Sequence, residues 1–92
     1  MMKSIMQQGE RCYLCGRTVG LETHHVFGGV ANRKLSEKYG LTVRLCHECH
    51  TGTDGAQYEG SVNRKLKRLA QIAFEARHSH DEWMDIFKKN YI

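Results

Sequence analysis

The sequence predicts a small α+β domain, and three observations support this fold class. The chain has 92 residues, which is the length of one domain. Residues 18–26 and 41–45 alternate apolar and polar side chains, as β-strands do. The chain after residue 61 instead repeats its apolar side chains at helical spacing. A domain of this size buries only about 60–65% of its unfolded surface, so we expect a further constraint on its core.

Turn residues separate the two predicted strands and frame a helix between them. Paired glycines place residues 27–30 in a loop, and residues 33–39 follow as a short helix. Gly40 stands where a helix needs a left-handed C-terminal cap. Another short helix is predicted over residues 48–51, directly behind the second strand.

Two longer helices are predicted near the C-terminus. Ser61 can cap the first, over residues 62–77, and basic residues lie opposite its apolar face. The residues predicted on that apolar face are Val62, Leu66, Leu69, Ala73 and Ala76. The sequence Ser79-His80-Asp81-Glu82 forms a capping box for a last helix that runs to about residue 89. The nearby aromatic residues are predicted as core anchors rather than as stacking platforms for bases: Trp83, Phe87 and Tyr91.

Two Cys-x2-Cys pairs supply the expected constraint. Two thiolates at this spacing can bind one tetrahedral ion from a tight turn, and two pairs complete a four-ligand zinc site. The ligands would be Cys12, Cys15, Cys46 and Cys49. Disulfides, idle core cysteines or a redox role fit two such pairs poorly in a chain without a signal peptide. We therefore predict a structural zinc whose binding free energy contributes to folding.

The sequence predicts a cytoplasmic protein without a membrane partner. Residues 1–10 are polar, lack the apolar core of a signal peptide and are expected to be flexible. No apolar run approaches the roughly 20 residues of a membrane helix.

The formal charge of +4 and the grouping of basic residues favour an anionic partner, with nucleic acid first. Four thiolates around one Zn²⁺ would add about −2, so local clusters are better evidence than net charge. One cluster contains Arg33, Lys34 and Lys38. The other contains Arg64, Lys65, Lys67 and Arg68, although a solvated helix face explains this second cluster equally well.

The adjacent histidines His24 and His25 follow the first strand pattern. Neighbouring side chains on a strand point to opposite faces, so the two rings cannot share one task. One can bind a metal while the other acts as general base. The simpler alternative is one core histidine beside one exposed histidine. The zinc would bring their segment against His50, which directly follows the last cysteine. The other histidines are interpreted as surface or capping residues: His47, His78 and His80.

Nearly the whole chain is covered by motifs whose order and spacing are specific. These are Cys12-x2-Cys15, Thr23-His24-His25-Val26-Phe27-Gly28-Gly29, Asn32-Arg33-Lys34, Ser36-Glu37-Lys38-Tyr39-Gly40-Leu41 and Leu45-Cys46-x2-Cys49-His50. In the tail they are Leu66-Lys67-Arg68, Ala70-Gln71, Ala73-Phe74-Glu75 and Asn90-Tyr91-Ile92. Together they resemble the motifs of small phage-type HNH endonucleases. The resemblance implies a ββα-metal fold with a C-terminal helical extension. We divide this single domain into a flexible segment (1–10), a zinc-bound HNH core (11–60) and helices packed on it (61–92).

The resemblance also implies a function, which is metal-dependent hydrolysis of double-stranded DNA in a bacterial or phage-infected host cell. By position, His24 and His50 bind one catalytic divalent cation, namely Mg²⁺, Mn²⁺, Ni²⁺ or Zn²⁺. His25 then corresponds to the general base that activates water. Arg33 or Lys34 is placed to steady the backbone phosphate.

Two positions depart from the family pattern. The asparagine of the family name often stands where this chain has Leu41. Members of this group also usually carry a histidine, as a third metal ligand, where this chain has Gln57, and an amide oxygen is a weaker ligand than imidazole for transition metals. Asp54, four residues after His50, is the alternative donor. The rival interpretation is therefore a non-catalytic zinc-stapled DNA-binding module on a decayed HNH scaffold. A protein-interaction adaptor is a third, supported only by the amphipathic helix.

Overall fold

A two-stranded antiparallel sheet organises the domain. The computed structural model describes residues 3–51 and 60–92. Strands β1 (Leu21–His25) and β2 (Thr42–Cys46) pair in a register that sets Leu21 opposite Cys46 and His24 opposite Val43. Helix α1 (Val30–Tyr39) connects the strands, and α2 (His47–Thr51) follows β2 directly. Two further helices, α3 (Gly60–Glu75) and α4 (His80–Phe87), complete a small mixed α/β domain in the described part of the chain.

The first strand is shorter than predicted. Residues 18–20 lie outside it, because Gly20 takes a left-handed conformation (φ 68°) that interrupts extended backbone. Helix α1 begins earlier than predicted, so Val30 belongs to the helix rather than to the preceding loop. The predicted cap is confirmed, since Gly40 has φ 72° and donates its backbone N–H to the Ser36 carbonyl. A Cβ at Gly40 would also lie 2.5 Å from the Lys3 carbonyl oxygen, so close approach requires glycine as well.

The described part of the N-terminal segment contacts β2 and the end of α1. The Ile5 N–H donates to the Gly40 carbonyl at 2.9 Å, and the Arg44 N–H donates to Gln7 Oε1 at 2.8 Å. The second bond satisfies a backbone N–H on the outer edge of β2 in this two-stranded sheet, and the first satisfies the carbonyl of the α1 cap. Flexibility of residues 1–10 stays a prediction, since these contacts describe position and not motion.

Helix α3 buries a different face from the one predicted. Leu66 is buried as expected, but its buried companions are Ala70, Gln71 and Phe74, while Ala76 is exposed. The buried face differs from the predicted one because of the side chains that α3 packs against. Phe74 packs edge-to-face on Trp83, with ring centroids 5.4 Å apart. The helix also includes Ser61 and ends at Glu75, so Ser61 is not its cap and the predicted end at residue 77 was too late.

A buried glutamine on α3 also helps to explain why the buried face differs from the predicted one. Its side chain is hydrogen-bonded to the C-terminal tail. The Gln71 side chain donates to Asn90 Oδ1 at 2.8 Å and accepts from the Tyr91 N–H at 2.6 Å. Gln71 has no exposed surface, and hydrogen bonds of this kind make its burial tolerable. The sequence pattern of apolar residues could not indicate this face, since its polar member is buried for its hydrogen bonds.

The capping box predicted at the start of the last helix is present. Ser79 Oγ accepts from the Glu82 N–H at 3.1 Å, and the Glu82 carboxylate accepts from the Ser79 N–H. Trp83 is fully buried and its indole N–H donates to the Lys89 carbonyl at 2.8 Å. Helix α4 ends at Phe87, two residues earlier than predicted, because Lys88 is left-handed. Sheet and helices share one hydrophobic core, which contains Val26, Phe27, Leu41, Val43, Leu45, Leu66, Phe74 and Trp83.

Candidate functional site

The four cysteines form one cluster that is positioned to hold a metal ion. All four Sγ atoms lie within 4.8 Å of one another, and Cys15 Sγ lies 3.6 Å from Cys46 Sγ. Tetrahedral zinc with Zn–S bonds of about 2.3 Å needs sulfur separations of about 3.8 Å. None of the cysteines is in a disulfide. The donor set, its spacing and its free thiols are consistent with the predicted structural zinc.

Local backbone bonds bring the two pairs together. The first pair lies in a turn in which the Cys12 N–H donates to the Arg17 carbonyl at 2.7 Å and the Gly16 N–H donates to the Cys12 carbonyl at 2.8 Å. The Tyr13 N–H then donates to the Arg44 carbonyl at 2.8 Å, which attaches this turn to β2. The second pair spans the junction of β2 and α2. A metal ion in the cluster would therefore fix α2 against the turn that precedes β1.

The thiols of Cys12 and Cys49 differ in the direction of their pKa shifts. Burial raises the pKa of the Cys12 thiol, but hydrogen bonds from the backbone of Cys46, Cys15 and Leu14 outweigh it and lower this pKa to about 6. Burial and the neighbouring sulfur atoms raise the pKa of the Cys49 thiol. Several thiolates so close together repel one another, and a divalent cation is the natural counter-charge.

The second candidate site begins at His24, whose side chain is almost completely buried. Burial, followed by the nearby His50 and His25, lowers the pKa of His24 to about 4, so the ring is neutral at neutral pH. Its Nε2 atom has no hydrogen-bond partner among the described residues. Leaving a buried polar atom unpaired costs about 1–3 kcal/mol. An unpaired imidazole nitrogen in such a position is what a metal ligand presents before it binds.

His50 on α2 faces this histidine. The two rings stand nearly perpendicular, at 71°, with centroids 5.0 Å apart. Glu22 Oε1 lies 2.8 Å from His50 Nδ1, so Nε2 is the nitrogen left for a ligand. Hydrogen bonds from His50 and then from His47 lower the pKa of the Glu22 carboxyl. Sequence reasoning missed Glu22, although strand alternation puts it on the same face as His24 and could have identified it.

His25 contacts a different carboxylate, on α1. Its Nε2 lies 3.0 Å from Glu37 Oε1, and Arg33 Nε lies 4.0 Å from the same oxygen. Glu37 was also missed as a functional residue. Nothing in the local sequence pairs it with His25, because the contact depends on how α1 packs against the strand.

A cleft of about 690 Å³ collects many of the predicted residues. Its described lining consists of Thr23, His24, His25, Val26, Gly28, Gly29, Arg33, His50, Asn63 and Lys67. The two adjacent histidines thus reach one cleft, because β1 ends at His25 and the chain turns there. The Lys67 ammonium is held over two aromatic rings, 5.7 Å from Phe27 and 5.8 Å from Tyr91. The remaining predicted DNA contacts are exposed and outside this lining: Lys34, Arg64, Lys65 and Arg68.

Gln57 and Asp54, the two candidates for a third catalytic ligand, lie outside the described residues. Of the other predicted surface histidines, His47 and His80 are exposed and bond to Glu22 and Glu75 respectively. His78 is exposed, and its ring stacks on that of Phe74 with centroids 4.5 Å apart.

Comparisons of the chain with protein-family models, with curated proteins and with solved structures gave no match. Among the described helices, none is long and apolar enough to cross a membrane.

Proposed function

We propose that this protein is a metal-dependent endonuclease of the HNH type, with a ββα-metal core, that hydrolyses phosphodiester bonds of double-stranded DNA. One observation carries the proposal. The buried His24 ring, whose Nε2 has no hydrogen-bond partner among the described residues, has its centroid 5.0 Å from that of His50, in a cleft that is also lined by His25 and two cationic side chains. The family resemblance of the motifs agrees with this arrangement and supplies the reaction class.

The four-cysteine cluster has a structural role in this proposal. A zinc ion there would hold α2 against the turn before β1, and α2 carries His50. The zinc would thereby fix the separation between the two proposed ligands, His24 and His50. The strands and α2 would form the ββα-metal core, and α3 would contribute Lys67 to the cleft wall.

The proposed chemistry uses His25 as general base. Its imidazole accepts a proton from water while the water oxygen forms a bond to phosphorus, and the opposite P–O ester bond breaks. The leaving oxygen gains a proton from solvent. His24 and His50 would hold a divalent cation, which would supply Lewis-acid stabilisation of the negative charge that develops at the phosphate. Arg33 and Lys67, on α1 and α3, line the same cleft, and both can bind the phosphate there.

Cleavage of supercoiled plasmid with Mg²⁺, Mn²⁺, Ni²⁺ or Zn²⁺ tests the proposal, with calorimetric titration of the metal in parallel. His25→Ala should lower the cleavage rate by about 10²–10⁴-fold and keep metal affinity, because a general base acts on water. His50→Ala should lose metal binding and cleavage together. His80→Ala, an exposed histidine on α4, is the matched control and should retain both. Equal activity of wild type and His25→Ala would refute the assignment of the base.

The alternative function is a non-catalytic, zinc-stapled DNA-binding module, and Gln57 is the residue that favours it. Glutamine is a weaker ligand than the histidine expected there. Under the endonuclease proposal, Gln57→His should tighten metal binding and raise the cleavage rate. If neither wild type nor Gln57→His cleaves with any of these metals while both bind DNA, the binding module is the correct interpretation. If wild type cleaves and this substitution changes neither quantity, position 57 is not at the metal.

A further inference from the structure

We propose that Glu37 is a positioning residue that sets the tautomer of His25, so that His25 Nδ1 is the atom that takes the proton from water. This inference rests on the proposed function and adds to it a role for Glu37, which the motifs contain but to which the sequence analysis assigned no function. The observation behind it is the 3.0 Å contact between Glu37 Oε1 and His25 Nε2.

The contact depends on a rigid attachment of α1 to the chain that follows β1. Ser36, adjacent to Glu37, is fully buried. Its Oγ accepts from the Phe27 N–H and donates to the Phe27 carbonyl, both at 3.0 Å. These two bonds fasten the helix two residues beyond His25 in the chain. The Glu37 carboxylate is thereby held at the imidazole by backbone-anchored geometry and not by its own flexible side chain alone.

The chemistry of the two groups then decides which nitrogen is the base. An ionised carboxylate has acceptor atoms only, so the imidazole nitrogen that contacts it carries the hydrogen. A neutral imidazole has one N–H, which leaves the lone pair on Nδ1 of His25. When Nδ1 accepts a proton, the ring becomes positive beside the Glu37 carboxylate, which stabilises that charge. A carboxylate acts on histidine in the same way in serine proteases.

A purely structural role for Glu37 is the competing explanation. Its other partner is Arg33, one helical turn away, with Nε at 4.0 Å and a side chain that is 65% exposed. Exposed pairs of this kind contribute little to stability, because solvent screens them. The His25 side chain is only 14% exposed, and its contact with Glu37 is shorter by a full ångström. The closer and less solvated contact is therefore the one with His25.

The test measures tautomer and turnover on the zinc-loaded protein. Nitrogen-15 NMR at about pH 8, where an imidazole is mostly neutral, identifies the protonated ring nitrogen of each histidine. Wild type should show His25 as the Nε2–H form. Glu37→Gln should lose this preference, because the amide can donate as well as accept. Its kcat should fall by at least about 10-fold with KM little changed, toward the roughly 10⁴-fold loss that a reversed tautomer causes in a serine protease.

Two further variants separate positioning from charge and from packing. Glu37→Asp keeps a carboxylate and should retain the tautomer preference and part of the rate. Glu10→Gln makes the same chemical change at a carboxylate that is 78% exposed and outside the cleft, and should match wild type.

The possible results are distinguishable. Cleavage by wild type with His25 in the Nδ1–H form would overturn the role of Glu37 and leave the endonuclease intact. An unaltered tautomer and rate in Glu37→Gln would do the same. A correct tautomer without cleavage under any metal would overturn the proposed function, and with it the role of Glu37 in positioning a general base.

Discussion

The cysteine cluster and the histidine cleft both include a residue of α2, yet they differ in completeness. The cluster collects four identical ligands within 4.8 Å, all from the described chain. The cleft brings together two histidines with different hydrogen bonding: the Nε2 atom of buried His24 has no partner among the described residues, and His50 contacts Glu22. Structural zinc sites are closed by four protein ligands, whereas catalytic sites keep a position open for water or substrate. The cysteine cluster is therefore suited to stabilising the fold. The histidine cleft is suited to exchanging bound water or substrate with solvent.

The largest effect that would test this comparison is loss of the cysteine cluster. Cys46→Ser removes a buried ligand, and structural zinc contributes about 10–16 kcal/mol of apparent binding free energy in small zinc domains. That is as large as the whole stability of a typical domain, about 5–15 kcal/mol, so the variant should be unfolded by circular dichroism and lack zinc by elemental analysis. The matched variant His50→Ala should remain folded with one zinc. A folded, zinc-free wild-type protein would contradict the assignment of the cluster.

An intermediate effect is expected where a carboxylate positions a ligand in the cleft. Glu22→Ala removes the acceptor for His50 Nδ1 and should weaken binding of the second metal by about 10–100-fold, as loss of such outer partners does. Calorimetric titration of the zinc-loaded protein with Mn²⁺ or Ni²⁺ measures this affinity. Thermal stability should change little, since Glu22 is half-exposed. Glu10→Ala is the control for the lost charge, and equal affinities of the two variants would show that His50 needs no such partner.

The smallest effect concerns the basic residues of α3, which the cleft divides into two groups. Lys67 lines the cleft, whereas Arg64, Lys65 and Arg68 are exposed outside it. Neutralising all four should weaken binding to every DNA sequence and flatten its salt dependence, because phosphate contacts release counterions. Each lost phosphate contact should reduce the slope of log K against log salt by about 1.

Single substitutions on α3 sharpen this test. Lys67→Ala should reduce both that slope and kcat, while Lys65→Ala should affect only the slope. Fluorescence anisotropy at several salt concentrations gives the slopes. If all four changes together leave the slope unaltered, this face of α3 is merely solvated.

Features that depend on residues close together in the chain were predicted correctly, whereas a feature that depends on packing was not. Cysteine spacing is a local property, so Cys12, Cys15, Cys46 and Cys49 were predicted as one cluster, and the structure confirms their proximity. The helix ends set by Gly40 and by the Ser79 capping box were local as well, and both are confirmed. The buried face of α3 was predicted wrongly, because Gln71 is buried for its hydrogen bonds to the C-terminal tail.

The sequence by itself predicted the small α+β class, the clustered cysteines and the caps at Gly40 and Ser79. These follow from residue type and local spacing, whereas His24 and His50 were proposed as ligands from the resemblance of the motifs. Only the tertiary structure decided which carboxylate faces each histidine. Glu22 on β1 contacts His50 where α2 packs against that strand. Glu37 contacts His25 because hydrogen bonds of Ser36 attach α1 to Phe27. Strand alternation can place Glu22 on the same face as His24. The pairing of each carboxylate with its histidine depends instead on packing between elements distant in sequence.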